Sequence, residues 1–239
     1  MTKKKWLCIS LIVLIVSFLL WALEEIYGNP FAEQRAIKTT ENHLSQQWPD
    51  NSFEITNITH TKSNSYDLTV SSTDSIDTHF TVIIDDNGEF IYDTYSDAVL
   101  SGQNTLLRHS ALYREQVESA LSDLDYPGQF SAHLETTESI TLSPDQNYDI
   151  FDLGSKLGCI SYRDEMGYID SYETAAEMLL DMKSALDSVG IPFAEAQLLQ
   201  ATKKAETSDR RFWINNIPYS EIYAENLPQR LESYDLYAE

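Results

Sequence analysis

Residues 6–23, WLCISLIVLIVSFLLWAL, run for eighteen positions without a charge. The run has no polar face, so it does not read as one side of a small core. As a helix it spans about 27 Å, close to the hydrocarbon thickness of a bilayer. Lys3, Lys4 and Lys5 precede it and Glu24 and Glu25 follow. The positive-inside rule therefore predicts a cytoplasmic N-terminus, with everything after residue 23 outside. Trp6 and Trp21 stand near the two ends, where indole rings favour the headgroup layer. The segment predicts an uncleaved, single-pass signal-anchor in the cell membrane. A cleaved signal peptide is the competing reading of a basic start and an apolar run. It fits less well, because Ala22 is the one small residue near the end and the run exceeds a usual signal core. Cys8 lies at the start of the run, not behind it where a lipoprotein would need it.

The anchor divides the charge. The whole chain carries −22, with a pI near 4.4. With the three N-terminal lysines set aside, 13 basic residues face 38 acidic ones, leaving −25 on the exported body. Such a surface makes nucleic acid a poor partner, since binding it rests on phosphate neutralisation by Lys and Arg. It also stays soluble and away from anionic lipid headgroups. A hydrophobic content of 42% argues against a disordered body. Two cysteines rule out a disulfide-framed mini-protein. One falls in the membrane run and one outside, so Cys159 stands as a lone thiol. Its neighbours Leu157, Gly158 and Ile160 predict a buried, inert position.

Behind the anchor the pattern predicts an α+β body of two small units. Asn29 is a good helix cap and Pro30 a good first helical residue, so a helix is expected over 30–48, with Phe31, Ile37, Leu44 and Trp48 as its apolar stripe. Alternation at Phe53/Ile55, Tyr66/Leu68/Val70 and Phe80/Val82/Ile84 predicts strands. Asp86-Asn87-Gly88 predicts a hairpin turn into a return strand over 89–94. One helix and a four-stranded antiparallel meander make a unit over 29–96, after a tip and anchor over 1–28. A helix over 106–124 is expected within a bridging segment, 97–128. The second unit, 129–239, is expected to hold strands over 130–136, 139–142 and 157–163. A helix follows over 172–189, where Ala175, Leu179, Met182, Leu186 and Val189 share one face, Ser171 or Asp170 caps the start and Gly190 ends it. Strands over 193–201 and 211–217 and a last helix over 220–234 complete a β-α-β-β-α order. That order predicts a split β-α-β sandwich with its helices on one face.

Several segments resemble the YfjL-like proteins of bacilli. They are Gly28-Asn29-Pro30-Phe31, Asp77-Thr78-His79-Phe80, Asp86-Asn87-Gly88 and Tyr92-Asp93-Thr94-Tyr95. In the second unit they are Leu157-Gly158-Cys159-Ile160-Ser161, Gly190-Ile191-Pro192-Phe193 and Ile217-Pro218-Tyr219-Ser220. The resemblance implies a small single-pass membrane protein of a Gram-positive bacterium, with two α+β units. It brings no established activity, so no catalytic residue is carried over.

The motif search assigns no catalytic, cofactor-binding or metal-ligating residue. The five histidines, His43, His60, His79, His109 and His133, form no zinc-hydrolase helix, and phosphate-binding glycine loops are missing. Asp145-x-Asn147-x-Asp149 begins like a calcium loop, but Ile150 stands where Gly is needed and Lys156 where Glu is needed. Cys159 with a distant histidine as a nucleophile is outweighed by the inert reading. Trp213, Tyr219 and Tyr223 are candidates for an interaction surface, weighed against simple core packing.

The expected function is that of a membrane-anchored extracytoplasmic binding module, contacting the bilayer through residues 6–23 and an envelope protein, peptide or glycan through its body. The alternatives are an exported enzyme acting on cell-wall material through carboxylates, and an acidic regulator that mimics an anionic ligand.

Overall fold

The computed structural model describes residues 12–16, 29–136, 140–200 and 213–237. Lys3, Lys4, Lys5, Trp6 and Trp21 lie outside the described residues, as does most of the apolar run. Residues 12–16 are helical, and Ile12, Val13, Leu14, Ile15 and Val16 are all exposed. Among the described residues, no helix is long and apolar enough to cross a membrane. The chain separates into two compact units between Asn104 and Thr105.

In the first unit, helix α1 (Pro30–Gln47) starts where Asn29 caps it, its side-chain carbonyl accepting the Phe31 amide at 2.9 Å. The buried stripe is Ala32, Ala36, Thr40 and Leu44, at intervals of four. Of the expected stripe, Leu44 is buried and Ile37 and Trp48 pack against the same core, whereas Phe31 is corrected, being 78% exposed. Small side chains let a helix backbone approach a sheet closely, so they, rather than the larger Phe31, take the inward positions. Strands β1 (Phe53–His60), β2 (Ser65–Ser72), β3 (His79–Asp85) and β4 (Phe90–Asp93) form an antiparallel meander in that order. Tyr66, Leu68 and Val70 with Phe80, Val82 and Ile84 build the core beneath α1. The β3–β4 turn closes at Gly88, whose φ of +87° suits a residue without Cβ. The Asp85 carboxylate accepts the Glu89 amide at 2.7 Å and holds that turn. The Tyr66 hydroxyl accepts from the Asn29 amide at 2.9 Å and donates to the Asn29 carbonyl, tying the start of α1 to the sheet. A π-helical turn, Ser96–Leu100, buries Val99 in the same core.

Helix α2 (Gln103–Leu121) opens at the end of the first unit and buries Leu106, Tyr113, Val117 and Leu121 in the second core. The second unit continues with β5 (Gln129–Leu134), α3 (Ile150–Leu157), β6 (Gly158–Asp164), α4 (Tyr172–Val189), β7 (Glu195–Gln200), β8 (Trp213–Pro218) and α5 (Leu227–Leu231). Helix α4 has the expected bounds: Ser171 caps it by accepting the Thr174 amide, and Gly190 ends it with φ +73°. Its Met178, Leu179, Met182 and Leu186 join Ala132, Leu134, Ile160, Tyr162, Ala196 and Leu198 of the sheet in one core.

The sheet order is β5-β6-β7-β8, with β6 and β7 parallel and both outer pairs antiparallel. This corrects the split sandwich: the two strands joined by the α4 crossover are direct neighbours. A β-α-β order in the chain requires a crossover but does not say whether a third strand enters between. Helix α3 fills the stretch between the expected strands over 139–142 and 157–163, to which the sequence pattern assigns no helix or strand. Asp149 caps it by accepting the Phe151 and Asp152 amides, and Lys156 pairs with Asp152 at 2.8 Å. Asp149 of the candidate calcium triplet is thus taken up as a helix cap, and Asp152 beyond it by a helix ion pair. No strand forms over the described residues 140–142. The expected last helix is instead a 3-10 turn (Tyr219–Glu221), the short α5 and a second 3-10 turn (Glu232–Tyr234). Pro228 lacks an amide hydrogen and cannot continue a helix from upstream, and Asn226 before it is left-handed at φ 52°.

Candidate functional site

The three aromatics read from the sequence are not brought together. Trp213 begins β8 and is 37% exposed, its ring 6.3 Å from that of Tyr237. Tyr219 lies past the other end of that six-residue strand, a separation on the order of 20 Å. Its hydroxyl donates to Asp187 at 2.9 Å, Lys183 Nζ sits 3.7 Å above its ring and Phe193 meets its edge. Tyr223 is covered by the Arg230 guanidinium at 3.6 Å. Each ring therefore has a separate partner, and no ring contact joins any two of the three.

A different group assembles on the face of the second sheet opposite the helices. Strand alternation sends Ala132, Ile160 and Ala196 into the core, so His133, Cys159 and Glu195 project the other way. The register makes these three a row: His133 opposes Cys159 across β5–β6, and Cys159 neighbours Glu195 across β6–β7. Gln197, two positions along β7, shares the face and donates from Nε2 to Cys159 Sγ at 3.0 Å. Glu135 lies just past β5, its Oε1 3.1 Å from His133 Nε2. One ligand atom each of His133, Glu135 and Cys159 falls within 4.8 Å of the other two.

The electrostatics of this group are uneven. Cys159 is fully buried, and burial pushes its thiol up to about 12, with Glu135 and Glu195 adding to the rise and the Gln197 amide opposing it. The group is therefore a neutral thiol at ordinary pH and a poor nucleophile. Burial also raises the Glu195 carboxyl, reinforced by Glu135 and opposed by His133. Glu195 Oε1 is buried without a hydrogen-bond partner. His133 and Glu135 remain open, with side chains 44% and 46% exposed. The inert reading of Cys159 thus holds for burial and charge state, but its polar neighbours went unseen. They form two short pairs, His133-x-Glu135 at the end of β5 and Glu195-x-Gln197 in β7, each 24 or more positions from Cys159, so no local spacing announces them.

The architecture defines a two-unit α+β protein: a helix-backed antiparallel meander followed by a mixed sheet with one parallel crossover. Residues 3–94 match the family described as YfjL-like, N-terminal domain. Residues 3–94 are therefore similar to a YfjL-like N-terminal domain, and residues 95–239 lie outside the match. A crystal structure of a DUF5037 family protein from Ruminococcus gnavus aligns with 76% of this chain and 91% of its own, at 16% identity and a TM-score of 0.24. No curated protein matches the sequence.

Proposed function

We propose that the protein is a membrane-anchored extracytoplasmic binding module rather than an enzyme, held by residues 6–23 with its two α+β units outside. The carrying observation is the eighteen-residue uncharged run between Lys3-Lys4-Lys5 and Glu24-Glu25. The helical conformation and full apolar exposure of residues 12–16 support it, since such side chains need a nonpolar surrounding. The body of −25 suits the outer side of an anionic membrane, where it stands away from the headgroups. Its partner is an envelope protein, peptide or glycan, met through exposed rings such as Trp213 and Tyr223. Tyr219 is already engaged by Asp187, Lys183 and Phe193.

Fractionation of cells carrying the full chain with a C-terminal tag tests the anchor. The tag is expected in the membrane pellet, and protease added to intact protoplasts is expected to remove it. Recovery in the culture medium, or protection from protease, would overturn the reading. Crosslinking on the same cells tests the binding role: a discrete adduct lost on Trp213→Ala or Tyr223→Ala supports it, and absence of any adduct opposes it.

A further inference from the structure

We propose that His133, Glu135 and Cys159 form a site for a borderline-soft divalent cation of the Zn²⁺ class. The inference is independent of the membrane reading, because it rests on the register of the second sheet alone. A thiol, an imidazole and carboxylates are the donor types that zinc selects, whereas calcium and magnesium prefer oxygen throughout. Ligand atoms around a tetrahedral zinc stand about 3.3–3.8 Å apart, as bond lengths near 2.0–2.3 Å require. The His133–Glu135 separation of 3.1 Å and the 4.8 Å limit on the whole trio bracket that range. Small rotations of the exposed His133 and Glu135 side chains would complete the fit.

Three further observations point the same way. Glu195 stands next to Cys159 across the parallel pair, with a buried oxygen that finds no donor in the protein. A buried acceptor left unpaired is costly, and positive charge bound beside Cys159 would lower that cost. Gln197 donates to the sulfur at 3.0 Å, a position from which an amide orients a metal-bound thiolate. A dication there would also offset the negative charge that Glu135 and Glu195 bring close to the sulfur. When the metal–sulfur bond forms, the thiol proton leaves to solvent and Cys159 binds as thiolate. The same group is poorly suited to cysteine nucleophilic catalysis. Cys159 has no exposed surface from which to reach a substrate.

Titration of the full-length protein with Co²⁺ tests the site. A sulfur-to-cobalt charge-transfer band is expected, saturating at one ion per chain and bleached by Zn²⁺, which binds such donors more tightly. Cys159→Ser should abolish the band, whereas Cys8→Ser should leave it intact. No band, or a band that survives Cys159→Ser, would overturn the proposal. Because Cys159 is buried, a second arm uses the exposed His133→Ala and Glu135→Gln, whose far-ultraviolet circular dichroism should match the parent. Each is expected to weaken Co²⁺ binding at least tenfold, and unchanged affinity in both would refute the assignment.

Discussion

Gly154 offers a test in which two opposite effects can be weighed. It sits inside α3, where alanine is intrinsically better than glycine by about 0.8–1.0 kcal/mol. On an exposed helix, Gly154→Ala would therefore stabilise. Here a Cβ would lie 2.5 Å from Tyr113 Cε2 and 2.8 Å from the Pro192 carbonyl oxygen. Carbon atoms pack at about 3.5–4.0 Å, so the ring or the helix must move by roughly 1 Å. Tyr113 is fully buried and its hydroxyl donates to Pro192 at 2.8 Å, so the ring is held at its far end and cannot swing aside. Overpacking of this kind costs about 1–3 kcal/mol. The clash at least offsets the helix gain, and a net loss of up to about 2 kcal/mol is expected. Urea titration followed by hydrogen exchange of the β6 amides reads the second unit selectively. A Tyr113→Ala background supplies the control: the ring is gone, so the same substitution should cost at least about 1 kcal/mol less there. Greater stability of Gly154→Ala in the parent, or strictly additive losses in the double variant, would refute the reasoning.

Two more outcomes follow from buried or hydrogen-bonded carboxylates. Asp164 is fully buried and accepts the amides of Met166, Gly167 and Ile169 at 3.0, 2.9 and 2.8 Å. Asp164→Ala strands those donors and should cost about 2–4 kcal/mol in chemical denaturation; a loss under about 1 kcal/mol would show that the loop re-pairs elsewhere. Asp85 is held below the usual carboxylate range by the Glu89 amide first, with the Asn87 side-chain amide and the Asn87 and Gly88 backbone amides adding to it. A folded value below the unfolded one means its contribution is present above the ordinary value of 3.8 and fades as pH falls through the lower, folded value. Carboxyl NMR of Asp85 should show a midpoint under 3.8, and a midpoint at or above it would contradict the turn geometry.

The elements with strong local signals were legible in advance. Helix α4 combines a cap at Ser171, a five-residue apolar stripe and a stop at Gly190, and its bounds follow directly. The meander was readable because alternation and the Asp86-Asn87-Gly88 turn agree on register. Helix α3 was missed because Asp145, Asn147, Asp149 and Asp152 look like a solvated loop. Of its apolar residues Ile150, Phe151, Leu153 and Leu157, only Leu153 and Leu157 are buried, and eight positions are too short to show a helical period without the core they meet. In α1 the larger apolar residues Ile37, Leu44 and Trp48 meet the core, but at the first turn the small Ala32 faces the sheet and Phe31 faces out.

By itself the sequence determined the uncharged run, the charge division around it, the α+β class and most element positions. These are properties of composition and of periods shorter than five residues, which need no partner strand to be read. Only the tertiary structure decided that β6 and β7 are neighbours, and hence that Cys159 stands between His133 and Glu195. Strand register is a pairing between distant segments, and one parallel and one antiparallel pairing were needed to line up residues 133, 159 and 195. Likewise it dispersed Trp213, Tyr219 and Tyr223, because a six-residue strand carries the chain about 20 Å however close the numbers look.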